Sequence, residues 1–186
     1  MIALWQRHRF VVLLAVAVFA LDQATKAVVV QTLALGRSWP ADGYFRITHI
    51  GNSGSAFGLF DGQNLVLTVL SVLGIGVLLL FYRSHRNPSL LVRLSLGLML
   101  AGAFGNLVDR LARGYVTDFI DIGPWYIFNV ADASLVTGVI ILAVTIVRAE
   151  PARAPAEPEP PEAQEQLGAG EPVAAAEPPT HDQPAA

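Results

Sequence analysis

The run TDFIDIGPWYIFNVAD sets three carboxylates, Asp118, Asp121 and Asp132, among phenylalanine, isoleucine, tryptophan and tyrosine. Two carboxylates brought together away from water cannot both ionise easily, so they share a proton. One can then take a proton from water while the other donates to a carbonyl oxygen. That is aspartic-hydrolase chemistry, with neither a metal nor a covalent intermediate. Asp118 and Asp132 are the candidate pair. Period-two alternation in VTDFIDI puts Asp121 on the strand face away from Asp118 and leaves it out. Asn129 falls one helical turn before Asp132, placed to orient it. From spacing alone three readings stay open: unrelated loop charges, a proteolytic dyad, and a proton or ion pathway.

Other polar residues stand out against an apolar background. Asp22 and Lys26 form an acid-first pair at i, i+4 within an apolar run, the better orientation for a helical ion pair. Charges inside a spanning helix are costly, which favours a functional or site-supporting role. A pair that only neutralises itself, a substrate contact and a catalytic part remain open. GNSGSAFG contributes Asn52 and the glycine punctuation of a tight, backbone-exposing turn that includes Gly54. GNLVDRLARG gives Asn106, Asp109 and Arg110 at a helix exit. Asp109–Arg110 reads as an interfacial charge pair, and Asn106, one turn deeper, needs a hydrogen-bond partner. A Ser–Lys hydrolase using Ser53 or Ser55 with Lys26 is a rival, because a serine nucleophile needs a base and no histidine lies within an apolar span.

The elements that must position these groups follow from composition. The chain has 186 residues, 53% hydrophobic and 15% charged, against about 25% charged in soluble domains. Residues 1–148 carry eleven Lys and Arg against seven acids, all aspartate; residues 149–186 carry one Arg against eight acids. The overall −3 therefore sums two unlike parts and gives no footprint for nucleic acid. With no cysteine there is no disulfide, thiol catalysis or cysteine-borne lipid anchor. Four scattered histidines offer no zinc-site spacing, so no metal or cofactor is expected.

Four apolar runs, about 10–34, 65–82, 90–108 and 128–147, are long enough to cross a hydrocarbon core of about 30 Å as helices. An N-terminal signal-peptide reading competes for the first run, but the apolar character continues through KAVVVQTLAL, which a spanning helix explains better. The expected fold is an all-α polytopic membrane protein with four transmembrane helices. Arg7, Arg9, Arg83, Arg86, Arg148 and Arg153 place both termini in the cytoplasm, which leaves connections 35–64 and 109–127 outside. Alternation in YFRITHI and VTDFIDI predicts a small β-sheet formed by these outer loops at the membrane surface, with Trp39, Tyr44, Trp125 and Tyr126 as interfacial anchors. Residues 1–148 form the membrane domain. Residues 149–186, with nine of the twelve prolines, are expected to be a disordered cytoplasmic tail.

Taken together, DQATK, NSGSAF, GNLVDR, TDFID and FNVADAS resemble the bacterial lipoprotein signal peptidases (signal peptidase II), in that family's order and over about residues 10–148. Ser55 departs from a common alanine, and Ala133–Ser134 stands where a serine usually follows the aspartate directly. The resemblance implies an aspartic endopeptidase with Asp118 and Asp132 as its dyad. It would remove signal peptides from prolipoproteins, cutting before a diacylglyceryl-modified cysteine at the outer face of the bacterial inner membrane. It also implies that Asn52, Gly54, Asn106, Asp109, Arg110 and Asn129 line or support the site, with Asp22 and Lys26 as support. The expected partners are these substrates and membrane lipid; no nucleic acid and a monomer are expected. Residues 57–60 are the candidate for a greasy lid. A proton-coupled transporter using Asp22, Lys26 and Asp132 as a relay, and a non-catalytic assembly factor, are the rivals from other classes.

Overall fold

A computed structural model describes residues 2–54, 63–85 and 88–148. The candidate lid at 57–60, Ser55 and the acidic tail lie outside the described residues. In chain order the elements are α1 (Ile2–Thr32), β1 (Ser38–Trp39), β2 (Phe45–Asn52), α2 (Asn64–Ser84), α3 (Leu90–Arg113), β3 (Val116–Ile122) and α4 (Val130–Arg148). All four helices are long and apolar enough to cross a membrane.

Two helices outrun their apolar runs. α1 begins near the N-terminus, because Gln6, Arg7, His8 and Arg9 continue the helix without extending the hydrocarbon-length stretch. α3 runs five residues past the expected 108, so Asp109 and Arg110 lie within it and not at its exit. Its stop signal is Gly114, at φ 81°, whose N–H donates to Arg110 O at 3.1 Å, an αL cap for which glycine is suited. Arg110 and Arg113 in the last turn suit the negative end of the helix dipole.

α3 is the hub, packing against α1, α2 and α4. Without a hydrophobic drive between helices in lipid, close approach of small residues sets the contacts. A Cβ on Gly102 would collide with Ala131 O and meet Ser134 Oγ at 2.8 Å; one on Gly138 would meet Ser95 O at 2.7 Å. Gly105 serves the site itself, since a Cβ there would stand 2.6 Å from Asp22 Oδ2.

The two long connections form a three-stranded antiparallel sheet, order β1-β2-β3. Arg46 pairs with Asp121 and Ile47 with Ile120, but then Ile50 pairs with Asp118. β2 therefore holds one extra residue around Thr48–His49, a bulge that inverts which face its later side chains occupy. On its other edge β3 exchanges hydrogen bonds with Phe128: Ile120 N donates to Phe128 O at 2.7 Å, and Phe128 N to Ile120 O at 3.1 Å. Trp39, Tyr44, Trp125 and Tyr126 are all exposed.

Candidate active site

The bridge at Phe128 clamps the start of α4 to β3, so Asp118 on the strand and Asp132 in the first helical turn face one cavity. Asn129 is the cap between them. Its Oδ1 accepts from Asp132 N at 2.9 Å, and its own N–H donates to Asp132 Oδ2 at 3.2 Å. This reciprocal exchange has the logic of a capping box. The Asn129 side chain also donates from Nδ2 to Asp118 Oδ1 at 2.6 Å. One residue thus fixes both carboxylates, a closer role than the orienting one its spacing suggested.

Amides supply the remaining contacts. Asn52 Nδ2 donates to Asp118 Oδ2 at 2.8 Å, while its Oδ1 accepts from Gly54 N at 3.0 Å, the turn anticipated in GNSG. Because of the β2 bulge, Asn52 lies on the Asp118 side of the sheet, whereas Arg46 and Thr48, also at even positions, face Asp121. Asn106 Nδ2 donates to Asp132 Oδ1 at 2.6 Å. Asn106 Oδ1 accepts from Lys26 Nζ at 3.0 Å and Asn129 Nδ2 at 3.2 Å, which fixes the orientation of that amide.

Behind these amides lies a buried ionic layer. Lys26 Nζ stands 2.9 Å from Asp22 Oδ2 and 3.1 Å from Asp109 Oδ2, with Lys26 and Asp22 fully buried and Asp109 nearly so. Asp109 Oδ1 pairs with Arg113 at 2.7 Å, and Asp109 Oδ2 accepts from Thr117 N at 3.0 Å. The sequence reading of an Asp109–Arg110 pair is therefore corrected. Adjacent helical residues point apart, while Asp109 and Arg113, four apart, share a face. Arg113 was missed, although it repeats the acid-first spacing of Asp22 and Lys26. Asp22 Oδ1 accepts from Ala131 N at 2.9 Å, so an acid of α1 satisfies an otherwise orphan N–H at the start of α4.

The Ser–Lys alternative loses its base. All three donors of Lys26 are committed, to Asp22, Asp109 and Asn106, leaving no lone pair to take a proton from serine. Asp121 pairs with Arg46 at 2.8 Å and accepts from Thr48 Oγ1 at 2.8 Å, apart from Asp118 on the other strand face.

Asp118 and Asp132 line a cavity of about 510 Å³ with Asn52, Asn106, Arg110 and Trp125. A second cavity, about 550 Å³ between α2 and α3, shares Leu67, Asn106, Arg110 and Leu135 with it. A larger groove of about 630 Å³ between α1 and the sheet is lined by no titratable side chain. Arg110 reaches Ser71 Oγ only at 3.4 Å, and its buried Nε has no hydrogen-bond partner. Burial pushes the Asp118 carboxyl up to about 7; the Asp132 charge adds to this, and the Asn52 and Asn129 hydrogen bonds oppose it. No group of three metal-ligating side chains occurs among the described residues.

Residues 14–148 match the family described as signal peptidase (SPase) II. The chain is similar to a lipoprotein signal peptidase of Moorella thermoacetica, 44% identical over 131 residues, covering 70% of this chain and 87% of that one. It is 39% identical over 143 residues to one of Geobacter sulfurreducens, covering 73% and 89%. A solved structure described as a bacterial membrane enzyme superposes with a TM-score of 0.72 at 30% identity, covering 80% of this chain and 94% of that one. The chain belongs to the signal peptidase II family and is a multi-pass membrane peptidase.

Proposed function

We propose that this peptidase is an aspartic endopeptidase that removes the signal peptide from diacylglyceryl-modified prolipoproteins, with Asp118 and Asp132 as its catalytic pair. The observation that carries the reading is the environment of the pair. Two carboxylates share one cavity and one capping asparagine, with amides for neighbours and, among the described residues, no cation bonded to either. Such a pair holds a single proton near neutral pH. The ionised carboxylate takes a proton from water as its oxygen attacks the scissile carbonyl carbon. The protonated carboxyl donates to the carbonyl oxygen. Collapse of the tetrahedral intermediate breaks the C–N bond, and the departing nitrogen takes a proton from the pair.

Depth and shape fit this substrate class. The aspartates lie where α4 leaves the apolar layer for the sheet, and by the arginine distribution this is the outer face of the inner membrane. The apolar groove between α2 and α3 runs into the catalytic cavity through Leu67 and Leu135, a bed for an apolar signal segment. The Arg110 Nε, buried and unpartnered, supplies a donor for a peptide carbonyl. Asp22, Lys26 and Asp109 support the amides and do not touch substrate.

The test is cleavage of a diacylglyceryl-modified prolipoprotein by purified wild type, Asp118→Asn and Asp132→Asn, read as a gel mobility shift. Both variants should fold and lose at least about 10³-fold in rate, within the range of a lost general acid or base. Wild-type cleavage should also decline above about pH 7, as the shared proton leaves. Near-normal cleavage by either variant would reject the aspartic mechanism.

A further inference from the structure

Several arginines gather at the end of the bundle opposite the aspartates, and Arg93 is the half-buried one among those described. No acidic residue occurs in 1–21, 62–108 or 133–149, the stretches that build that end. Arg93 stands in the first turn of α3, where the helix dipole disfavours a cation. It is half-buried, with its guanidinium 5.8 Å from the centre of the Phe10 ring. No ion pair engages it among the described residues, and its buried Nε has no hydrogen-bond partner.

The setting of Arg93 is built. A Cβ on Gly97 would meet Leu14 Cδ2 at 2.8 Å, so α1 and α3 touch there. Phe10 and Arg93 each lie four residues earlier, one turn below that contact on parallel helices. Across the same end, His8 Nδ1 hydrogen-bonds the Tyr82 hydroxyl at 2.8 Å with the rings edge to face. Arg93 lies within electrostatic reach of that phenol. Beside the cation the surface is apolar: Phe10, Leu13, Leu90 and Leu91 are all exposed.

We infer that Arg93, on the Phe10 ring at the α1–α3 seam, binds the phosphate of an anionic phospholipid whose acyl chains lie along the adjoining apolar faces of α1 and α3. A guanidinium presents planar, paired donors suited to phosphate oxygens, and anionic headgroups attract juxtamembrane arginines. The acidic tail offers carboxylates as well. Its proline- and glutamate-rich sequence has nothing to cover Phe10, Leu13, Leu90 and Leu91, whereas a lipid supplies charge and hydrocarbon together.

The experiment is native mass spectrometry of the full-length protein released from nanodiscs of equal dioleoylphosphatidylglycerol and dioleoylphosphatidylcholine. Variants are Arg93→Gln, Phe10→Leu and a chain ending at Arg148, with inorganic phosphate as competitor. Wild type should retain the anionic lipid at least about fivefold over the zwitterionic one. Arg93→Gln should reduce the ratio to near one, and Phe10→Leu, which keeps apolar volume but removes the ring, should lower it partway. The truncated chain should match wild type, and millimolar phosphate should displace little lipid. If Arg93→Gln does not fold, an unchanged ratio in Phe10→Leu overturns the proposal, as does an unchanged ratio in a folded Arg93→Gln. Retention that rises only on removing the tail would make the tail the occupant. Full displacement by phosphate would make this a simple anion site. Either result overturns the assignment to lipid.

Discussion

Two clusters of buried aspartate lie back to back in this protein, and they settle their charge in opposite ways. In the ionic layer, Asp22 and Asp109 are matched by Lys26 and Arg113 at 2.7–3.1 Å. In the proposed catalytic cluster, Asp118 and Asp132 are met by Asn52, Asn106 and Asn129, which supply donors without charge. The first is neutral as built. The second becomes tolerable by keeping a proton. Asn106 joins them, accepting from Lys26 on one side and donating to Asp132 on the other. Identical side chains at similar burial thus become scaffold or reactive group according to whether their neighbours carry charge.

The strongest way to break the comparison is Lys26→Met, which removes the shared cation. Asp22 and Asp109 would be left as two buried carboxylates with only Arg113 between them. Removing one partner of a buried pair costs about 3–5 kcal/mol, so this variant should denature far earlier than wild type, in activity and in thermal melting together. A folded Lys26→Met of wild-type stability would show that the layer does not neutralise itself as described.

Next in size is a pH effect expected of the amide-bound cluster. The Asp118 carboxyl lies at about 7 in the folded protein against 3.8 for the free side chain. Between these values the folded state binds the extra proton, so stability falls as pH rises through this window and levels off above about 7. The shift of roughly three units corresponds to about 4 kcal/mol in all. Asp118→Asn cannot titrate, so its thermal midpoint should lack that part of the decline between pH 5 and 8. Parallel curves for the two proteins would refute the assigned environment.

Much of this contrast could be read from the sequence, and the part that could not has physical reasons. Hydrocarbon-length apolar runs revealed four helices, because lipid demands them. The ends of α1 and α3 escaped, since hydrophobicity marks the membrane layer and not where the helix stops; Gly114 was the available signal. The separation of Asp118 from Asp121 followed from period-two alternation. The bulge that places Asn52 with Asp118 did not, because one inserted residue leaves no compositional trace. Asp109–Arg113 was available from i, i+4 spacing and was obscured by the adjacent Arg110. The capping role of Asn129 required knowing that Phe128 still belongs to the sheet.

A smaller change sharpens the comparison from the amide side. Asn52→Ala removes one of the two hydrogen bonds that favour the Asp118 carboxylate, so the basic limb of the activity profile should move to higher pH. The stability change should stay within about 1–3 kcal/mol. A basic limb that stays in place would mean that Asn52 does not tune the pair.

The smallest expected effect on activity comes from the third carboxylate, three residues along the same strand. Asp121 is as buried as Asp118, at 2% exposure, yet it has Arg46 at 2.8 Å and the Thr48 hydroxyl at 2.8 Å. It belongs with the ionic layer in kind, though it lies across the sheet from the dyad. Thr48→Val keeps the shape and deletes one charge-assisted hydrogen bond, worth about 1.5–3 kcal/mol, together with the bond between the Thr48 and Ser38 hydroxyls, while the arginine stays. The thermal midpoint should fall modestly, and cleavage per folded molecule should keep both its rate and its pH profile. Asn52→Ala and Thr48→Val each remove one donor from a buried aspartate of β3. If both moved the activity profile alike, the two faces would be one electrostatic unit, and the division between a cation-matched acid and an amide-held one would not survive.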